Sequence, residues 1–384
     1  MVRQRTLWTI VASGTVTGLL AHQTVSFERS ADLYGTPATR QAAPWARTAL
    51  ETLPLRLLSR ALGAVSRVYL PKATRRTLLS TYCACLPACQ LDDIRDPLET
   101  FPTLAAFQQR QLKPSARPID SKASLVAPCD GRLLSCGQVE SGALLQPIKG
   151  IRLSMRALLD STDERDPLVR GPIMVEVATT ETLGLSRTRG STELNSKTMS
   201  MKSNHTAIQP DTEAKALYYA VFHLPAGGYH RFHSPARWDI ELRRHVVGQL
   251  LPGTPRILRR LGSLFTVNER VCLVGEWTDG FFGMVAVAAF GNGDIYLHFD
   301  EDLVTNCHEY PLNYRRDMTY RWPVRLQPGD EMGGFRQGSC IVLLFEAAAM
   351  VRDDSTSGHT GRDVGFLVQP GALVRTGEAL FRAP

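Results

Sequence analysis

From Leu125 onward, short apolar runs alternate with glycine and proline, and this spacing constrains the fold more than any other feature. Three such runs are Tyr218–Leu224, Met284–Phe290 and Ile341–Phe345. Each has the length of a single strand and stands between turn-forming residues, a pattern typical of strands rather than helices. We therefore predict a β-rich catalytic body over residues 121–384, with a mainly antiparallel core.

Residues 51–120 have helical character and form a second predicted region. Within residues 55–70, apolar side chains recur at spacings of three and four, namely Leu58, Leu62, Val65 and Tyr69. Arg56, Arg60 and Arg67 lie off that stripe. The pattern predicts an amphipathic helix that either packs on the body with a solvated basic edge or contacts anionic lipid. The fold class is therefore α+β, with a helical N-terminal layer on the β core.

Positive charge is concentrated near the N-terminus. Residues 1–80 contain eleven Lys/Arg and three acidic residues, whereas the rest of the chain is nearly balanced, for a net charge of +7. A nucleic-acid-binding protein normally carries its basic surface on the folded body. This distribution therefore favours targeting or membrane contact, and no nucleic-acid partner.

Residues 1–50 are rich in Arg, Ser and Thr and poor in acidic residues, the composition of an organellar transit peptide. Their apolar stretch, Leu7–Leu20, is about 14 residues long and short for a bilayer crossing. A mitochondrial presequence, a marginal inner-membrane anchor and a secretory signal all fit, and the first two can coexist. We predict a mitochondrial protein at the inner membrane, attached peripherally or by a single anchor.

Two polar, aperiodic stretches, residues 178–215 and 352–363, are predicted to be surface loops. Two further segments, Val324–Gly333 and Val368–Gly377, each carry a Pro-Gly followed by another glycine. Paired turns of this kind resemble the hammerhead β turns of lipoyl and biotinyl carriers, although no carrier lysine stands at a hairpin tip. We expect such carrier-like turns at the edge of the β core.

Four polar, turn-rich segments lie in otherwise apolar surroundings. In chain order they are Val126–Gly131, Tyr229–Pro235, Val267–Val271 and Pro328–Cys340. The first has one carboxylate, Asp130, and the second has two imidazoles, His230 and His233. Two His three residues apart can ligate a metal, but no further His/Cys pair has a matching spacing, so we predict no metal site.

The fourth segment is dense in glycine and runs into an apolar strand. Phosphate-binding loops of that composition lead into a helix and carry Gly-Lys-Ser/Thr, and this loop does neither. A serine that follows glycine on a tight loop has another use. The Gly338–Ser339 peptide can be held distorted, with the Ser339 hydroxyl close to the preceding carbonyl.

Taken in order, the four segments resemble the phosphatidylserine decarboxylase family, pyruvoyl-dependent enzymes made as self-cleaving proenzymes. The similar stretches are Ala127–Gly131 (family Ser-Pro-Ala-Asp-Gly), Tyr229–Pro235 (Tyr-His-Arg-x-His-x-Pro), Asn268–Val271 (Asn-Glu-Arg-Val) and Gly329–Cys340 (Gly-x-Glu-x-Gly-x-Phe-x-x-Gly-Ser-Thr). Flanking similarities include Phe107, Arg110 and Arg117-Pro118, and Pro54–Arg56 with Ser59-Arg60 is similar to the mitochondrial branch. The resemblance spans about residues 54–384.

The resemblance implies a maturation reaction in which the chain cuts its own backbone. His233 would be the general base for Ser339, and Asp130 would orient and stabilise the imidazolium. The Ser339 hydroxyl would attack the carbonyl of Gly338 to give an ester. Elimination and loss of ammonia would leave a pyruvoyl group. The products would be a β chain ending at Gly338 and an α chain beginning at the former Ser339, and the two would stay associated.

The resemblance also implies the reaction of the mature protein. The amine of phosphatidylserine would form a Schiff base with the pyruvoyl carbonyl, which accepts the electrons released as CO₂ departs and phosphatidylethanolamine forms. His230 is the candidate proton donor, and a supporting role for its ring is equally open. Glu331 and Arg270 are expected to hold loops together. Substrate would come from a membrane, and a homo-oligomer is left open.

The sequence departs from the family pattern at four motif positions, Ala127, Cys129, Gln337 and Cys340. Only Cys340 introduces a competing group, because its thiol could attack in place of the Ser339 hydroxyl. Two other functions stay open: a pyruvoyl decarboxylase of a soluble amino acid, and a cleavage-dead homologue that binds membrane lipid.

Overall fold

The computed structural model describes residues 52–86, 88–139, 144–148, 151–161, 166, 215–253, 264–291, 293–336, 339–349 and 365–383. The predictions for the targeting segment, for the insertion up to residue 214 and for the 352–363 loop concern residues outside these ranges. Gln337 and Gly338 also lie outside them. The predicted divisions near residues 50 and 120 stay predictions.

Over the described residues, the N-terminal layer contains three α-helices, α1 (Leu55–Ser66), α2 (Arg75–Ala84) and α3 (Leu104–Gln108), and two short 3₁₀ helices, Lys72–Thr74 and Leu98–Thr100. Helices α2 and α3 share a small core that includes Leu79, Tyr82 and Phe107. A disulfide joins Cys83 to Cys89, a pairing that the sequence analysis did not predict. The helical layer that was predicted ahead of the β core is confirmed. In the described ranges, no helix is both long and apolar enough to cross a membrane.

Helix α1 packs on the body through small residues. Its buried positions are Leu55, Ser59, Gly63 and Ser66, which share one side of the helix. The predicted apolar stripe is not the buried side: Leu58 is 45% exposed and Tyr69 68%, and Leu62 and Val65 are only half-buried. Packing through that stripe is therefore wrong, because the small side chains let the helix backbone approach the body closely.

Two polar contacts fix α1 in this orientation. The guanidinium of Arg56 donates to the carbonyl of Cys307 at 2.7 Å and lies 3.8 Å from Glu269. The backbone N–H of Gly291 donates to Oγ of Ser59 at 3.4 Å. Arg56 therefore does not belong to a solvated basic edge.

An eight-stranded antiparallel sheet forms the centre of the body. Its strands are β2 (Gly131–Gln138), β5 (Lys215–Leu224), β7 (Trp238–Val246), β8 (Arg270–Trp277), β9 (Gly280–Ala288), β11 (Arg315–Leu326), β13 (Ser339–Ala348) and β15 (Leu373–Val374). Their order across the sheet is β11-β7-β8-β9-β13-β5-β2-β15. All three strands predicted from apolar runs are present, as β5, β9 and β13. The α+β architecture with an antiparallel core is thereby confirmed.

The middle of this sheet is buried on both faces. Along β13, Ile341, Leu343 and Phe345 belong to one apolar cluster. Cys340, Val342 and Leu344 alternate with them and belong to a second cluster. A strand that is covered on both sides needs apolar residues at every position, which explains the uninterrupted run in the sequence.

Three small sheets and two short helices complete the described part. The sheets combine β1 (Leu125–Val126), β16 (Ala379–Arg382) and β14 (Gly365–Phe366); β10 (Ile295–Leu297), β12 (Glu331–Phe335) and β6 (Arg231–His233); and β3 (Leu144–Ile148) with β4 (Ile151–Ser154). The helices are α4 (Met155–Leu159) and α5 (Leu264–Val267). The two predicted Pro-Gly turns place Gly329 and Gly371 at φ of 89° and 98°, a conformation that favours glycine.

Candidate active site

Asp130 and Ser339 lie at the same end of the central sheet. In one row across the sheet, Arg132 of β2 pairs with His223 of β5, and His223 pairs with Cys340 of β13. Because β2 and β13 are both antiparallel to β5, they run in the same direction. Asp130 immediately precedes β2 and Ser339 begins β13. Two predicted site residues that are distant in sequence therefore lie at the same end of the sheet, with only strand β5 between their strands.

The segment that carries the two histidines lies at the same end of the sheet. It follows the end of β5 through residues 225–230 and enters β6, which pairs with β12 so that His233 stands opposite Glu331. The backbone N–H of His233 donates to the carbonyl of Pro128 at 2.8 Å. The first, second and fourth predicted segments are thus in main-chain contact.

Both ring nitrogens of His233 have partners. Nδ1 lies 2.8 Å from the carbonyl of Gly329, and Nε2 lies 2.8 Å from the hydroxyl of Tyr229. Because a carbonyl only accepts, Nδ1 carries the hydrogen and Nε2 accepts from the tyrosine O–H. Burial lowers the pKa of His233, and the bond to Gly329 partly opposes that shift. The ring is therefore a neutral imidazole that presents a basic nitrogen to Tyr229.

The carboxylate of Asp130 is held by other groups. Its oxygens accept from Nε of Arg117 at 2.9 Å, from the backbone N–H of Thr376 at 2.9 Å and from its hydroxyl at 3.0 Å. Arg117 also pairs with Asp93 at 2.8 Å. The ring nitrogens of His233 bond Gly329 and Tyr229 rather than Asp130, so the orienting role assigned to Asp130 stays a prediction. Burial still lowers the pKa of His233, and the charges of Glu331 and, to a smaller extent, Asp130 oppose that shift through space.

His230, at the same end of the sheet, is a buried imidazole without hydrogen bonds. The residue is 1% exposed, and neither Nδ1 nor Nε2 has a hydrogen-bond partner. Burial, with smaller contributions from the charges of Arg110 and His223, lowers its pKa to about 3. An unpaired buried polar group costs about 1–3 kcal/mol. An unpaired buried imidazole of this kind fits a site in which a further group supplies the missing hydrogen-bond partner.

A cleft of about 290 Å³ opens beside these residues, where the helical layer meets the end of the sheet. Its walls include Arg110, Arg117, Asp130, Arg132, Tyr229 and Arg375. Asp130 and Tyr229 therefore line an accessible polar cavity, whereas His230 and His233 lie behind them and are not among its lining residues.

Known proteins are similar in sequence to this chain over most of its length. The profile of the phosphatidylserine decarboxylase family matches residues 104–382. This chain belongs to that family. A mitochondrial phosphatidylserine decarboxylase proenzyme 1 of Schizosaccharomyces pombe is 34% identical over 92% of this chain and 86% of its own. Mitochondrial phosphatidylserine decarboxylase proenzymes of Rattus norvegicus and Oryza sativa subsp. japonica are each 32% identical, over 88% and 87% of this chain and 75% and 78% of theirs.

Ser339, the predicted cleavage serine, begins strand β13 of the central sheet. The Cα of Ser339 is in register with Leu224 of β5 on one side and Ala288 of β9 on the other. Gly338, the predicted other half of the scissile bond, lies outside the described residues. The junction therefore stands at the entry to a strand that is paired on both edges.

The thiol of Cys340, the competing nucleophile considered above, is deeply buried. The residue is 1% exposed, and burial raises the pKa of the thiol to about 12. The thiolate is the nucleophilic form of cysteine, and at neutral pH this side chain is almost entirely a thiol. The environment therefore disfavours Cys340 as the attacking group.

The Asn-Glu-Arg-Val motif of the family is structural in this chain. The guanidinium of Arg270 donates to the carbonyls of Leu158 at 2.7 Å and Thr266 at 2.6 Å. The amide of Asn268 bonds the backbone of Leu251 and Ala288. Glu331 is paired with Arg231 and His298. Arg270 and Glu331 hold loops together, as expected from the sequence.

Three residues of this family site escaped the sequence analysis as functional groups, namely Tyr229, Arg117 and Thr376. Tyr229 and Arg117 stood inside quoted similarities, so their positions were visible but their roles were not. Thr376 lies 246 residues from Asp130 and in a turn that was interpreted only as carrier-like. Among the described residues, no group of three His, Cys, Asp or Glu side chains could hold a metal ion.

Proposed function

We propose that this chain decarboxylates phosphatidylserine to phosphatidylethanolamine after cutting itself between Gly338 and Ser339. The observation that carries the proposal is that the imidazole of His230 is buried without a hydrogen-bond partner at the end of the sheet where Ser339 begins β13. A pyruvoyl group formed from Ser339 supplies a carbonyl that binds the substrate amine and accepts the electrons released with CO₂.

Self-cleavage needs a base, and we assign that role to Nε2 of His233. The hydroxyl of Ser339 attacks the carbonyl of Gly338 and gives its proton to Nε2, while the departing amide nitrogen takes up a proton. The resulting ester breaks by β-elimination: the α-proton of residue 339 leaves to a base, the carboxylate of Gly338 departs from its Oγ, and a dehydroalanine remains. Its imine tautomer is hydrolysed by water, which releases ammonia and leaves the ketone. In this sequence Tyr229 keeps Nε2 in the accepting state until Ser339 replaces it.

Asp130 supports the same step by its charge. When His233 accepts a proton, the ring becomes an imidazolium, and a nearby carboxylate favours that form. The donors from Arg117 and Thr376 fix the carboxylate of Asp130 in place, so the charge does not reorganise when the proton arrives.

His230 is proposed to handle the proton of decarboxylation. Its low pKa means that the ring is neutral in the uncut chain and has no proton to donate as an acid. A substrate carboxylate that arrives beside it raises that pKa, because an opposite charge favours the imidazolium. The ring can then take a proton from solvent and deliver it to the carbon that loses CO₂.

We place the protein in the mitochondrion, at the surface of the inner membrane. Its relatives are named mitochondrial, and the predicted transit peptide agrees with them. The outward face of α1 presents Leu57 and Leu58 to the surroundings, and Tyr69, three residues beyond the helix, is exposed as well. An exposed apolar patch is unusual on a protein with no lipid or protein to contact, and a phospholipid substrate must be taken from a bilayer.

One experiment separates this function from its alternatives. Purified chain is analysed by denaturing electrophoresis and mass spectrometry, and then assayed for CO₂ release from phosphatidylserine vesicles and from free serine. We expect two fragments, a ketone-blocked C-terminal fragment and activity on vesicles alone. A single band near 42.4 kDa would identify a cleavage-dead lipid binder. Release of CO₂ from free serine alone would identify a decarboxylase of a soluble amino acid.

A further inference from the structure

Arg110 is a buried cation among the residues that line the cleft. The residue is 3% exposed. One Nη donates to the carbonyl of Gly227 at 2.9 Å, and the guanidinium lies 4.8 Å from the ring centre of Phe107. Its Nε has no hydrogen-bond partner. A buried charge is normally paired, so this guanidinium is short of one acceptor and of a counterion.

The carboxylates that share the cleft are already engaged by other groups. Asp130 and Asp93 both pair with Arg117. Glu378 accepts the backbone N–H of Arg375 at 2.9 Å. In the part of the chain that the structure describes, Arg110 therefore forms no ion pair, although it lines a cavity large enough for a small anion.

We propose that Arg110 binds the phosphodiester of the lipid headgroup, an inference that rests on the proposed function. A guanidinium presents several N–H donors that match phosphate oxygens. The substrate carboxylate is the poorer candidate, because a cation held on it would stabilise the charge that the reaction must remove. The phosphodiester persists from substrate to product, so its binding does not oppose decarboxylation.

The position of Arg110 relative to the reacting groups supports this assignment. Its charge lowers the pKa of His230, and Asp130 and Tyr229 in turn act on Arg110. The bond of Arg110 to Gly227, and the cleft wall that it shares with Asp130 and Tyr229, place the cation beside the segment that carries both histidines. A headgroup whose phosphodiester lies on Arg110 has its serine moiety directed into this edge of the sheet.

The test measures binding by titration calorimetry on the full-length purified protein. The probes are glycerophosphoethanolamine, which has the phosphodiester without a carboxylate, free serine, which has the carboxylate without phosphate, and inorganic phosphate. The variants are Arg110→Met, which removes the cation, and Arg110→Lys, which keeps the charge but loses the fork. Arg325→Gln is the matched control, since that guanidinium is 77% exposed and pairs with Asp239 elsewhere.

We expect Arg110→Met to weaken glycerophosphoethanolamine binding about tenfold or more, the effect of losing a charge-assisted hydrogen bond. Arg110→Lys should lose less, and serine binding and the control should be unchanged. The assignment is overturned by unchanged diester affinity, by a loss confined to serine, or by inorganic phosphate binding as tightly as the diester. Thermal melting checks folding, and if Arg110→Met is unfolded, unchanged affinity in Arg110→Lys overturns the proposal.

This outcome is separable from the proposed function. Diester binding that depends on Arg110 in a chain that neither cuts itself nor releases CO₂ would refute the enzymatic proposal and leave the binding site standing. A chain that cuts and decarboxylates, with diester affinity unchanged in Arg110→Met, would do the reverse.

Discussion

The hydroxyl of Tyr229 donates to Nε2 of His233 across 2.8 Å, while the carbonyl of Gly329 accepts from Nδ1 of the same ring. These two bonds fix the tautomer and the orientation of the imidazole. Asp130 contributes charge rather than contact. The pair formed by Tyr229 and His233 therefore decides when the ring can act as a base.

Replacing Tyr229 by Phe should make self-cleavage more sensitive to acid. The O–H bond stabilises the neutral ring, so its loss raises the pKa of His233 and protonates more of the base at low pH. We expect a clear slowing at pH 6 and a smaller change at pH 8, followed by timed denaturing electrophoresis. Tyr310→Phe, at a surface ring stacked on Tyr314, is the control. Parallel pH profiles for Tyr229→Phe and wild type would contradict the assignment.

Ser339→Ala should abolish cleavage, whereas Cys340→Ala should leave the cleavage rate within about twofold, since the thiol takes no part. With a pKa of about 12, only about one Cys340 thiol in ten thousand is ionised at pH 8. Intact-mass measurement of both variants decides the point. Cleavage that survives in Ser339→Ala and disappears in Cys340→Ala would make the thiol the nucleophile.

Asp130→Asn should slow cleavage and also lower the pKa of His233, because the carboxylate charge that favours the imidazolium is gone. The acid limb of the cleavage pH profile should then move to lower pH. Asp93→Asn is the matched control, since it also removes a carboxylate from Arg117. An equal loss of rate in both variants, with no displacement of the acid limb, would reduce Asp130 to a partner of Arg117.

The buried ring of His230 should make the protein less stable in mild acid. Its pKa of about 3 lies below that of an exposed histidine, so the unfolded chain binds more protons between the two values. Stability from the neutral ring is complete above about pH 6.5 and falls by about 1.4 kcal/mol per pH unit below it.

Urea unfolding at pH 7 and pH 5 measures this dependence in the Ser339→Ala background, which removes cleavage as a variable. His230→Gln should lose less free energy of unfolding between the two pH values than its parent does. His308→Gln, at an exposed position, should behave like the parent. If all three proteins lose equal stability, the ring is not held neutral.

Glutamate at positions 57 and 58 should detach the protein from membranes without unfolding it. Leu57 and Leu58 are both exposed, so the double variant removes apolar surface without opening a cavity. Vesicle binding should fall about tenfold or more, given about 1.5–3 kcal/mol for burying one leucine. Activity on detergent-solubilised lipid should be unchanged. Val304→Glu, also at an exposed position, is the control. Equal vesicle binding by the double variant and by this control would show that α1 does not contact the membrane.

The central strands were predictable because burial on both faces leaves an uninterrupted apolar run. Tyr218–Leu224 and Ile341–Phe345 both became neighbouring strands of the sheet. The face of α1 was not predictable in the same way. Ser59 and Gly63 are buried because they are small enough for close backbone approach, whereas hydropathy assigns the interior to leucine.

The site was predictable to the level of its segments but not its bonds. The segments that carry Asp130, His233 and Ser339 lie at the same end of the central sheet, while the roles of these three residues stay predictions. The partners of Asp130 come from Arg117 and from Thr376, and nothing local in the sequence indicates that pairing. Such contacts are set by the register of β15 on β2, which depends on the whole sheet.

Ser339 opens a strand that has neighbours on both sides, β5 and β9. If the backbone is cut there, the shorter fragment keeps a strand hydrogen-bonded between two strands of the longer fragment, and it cannot dissociate without disrupting the sheet. Folding must also precede cleavage, because no covalent bond would then join the two fragments. The mature molecule would then be a one-way product: once denatured, it has lost the covalent link that made its own folding unimolecular.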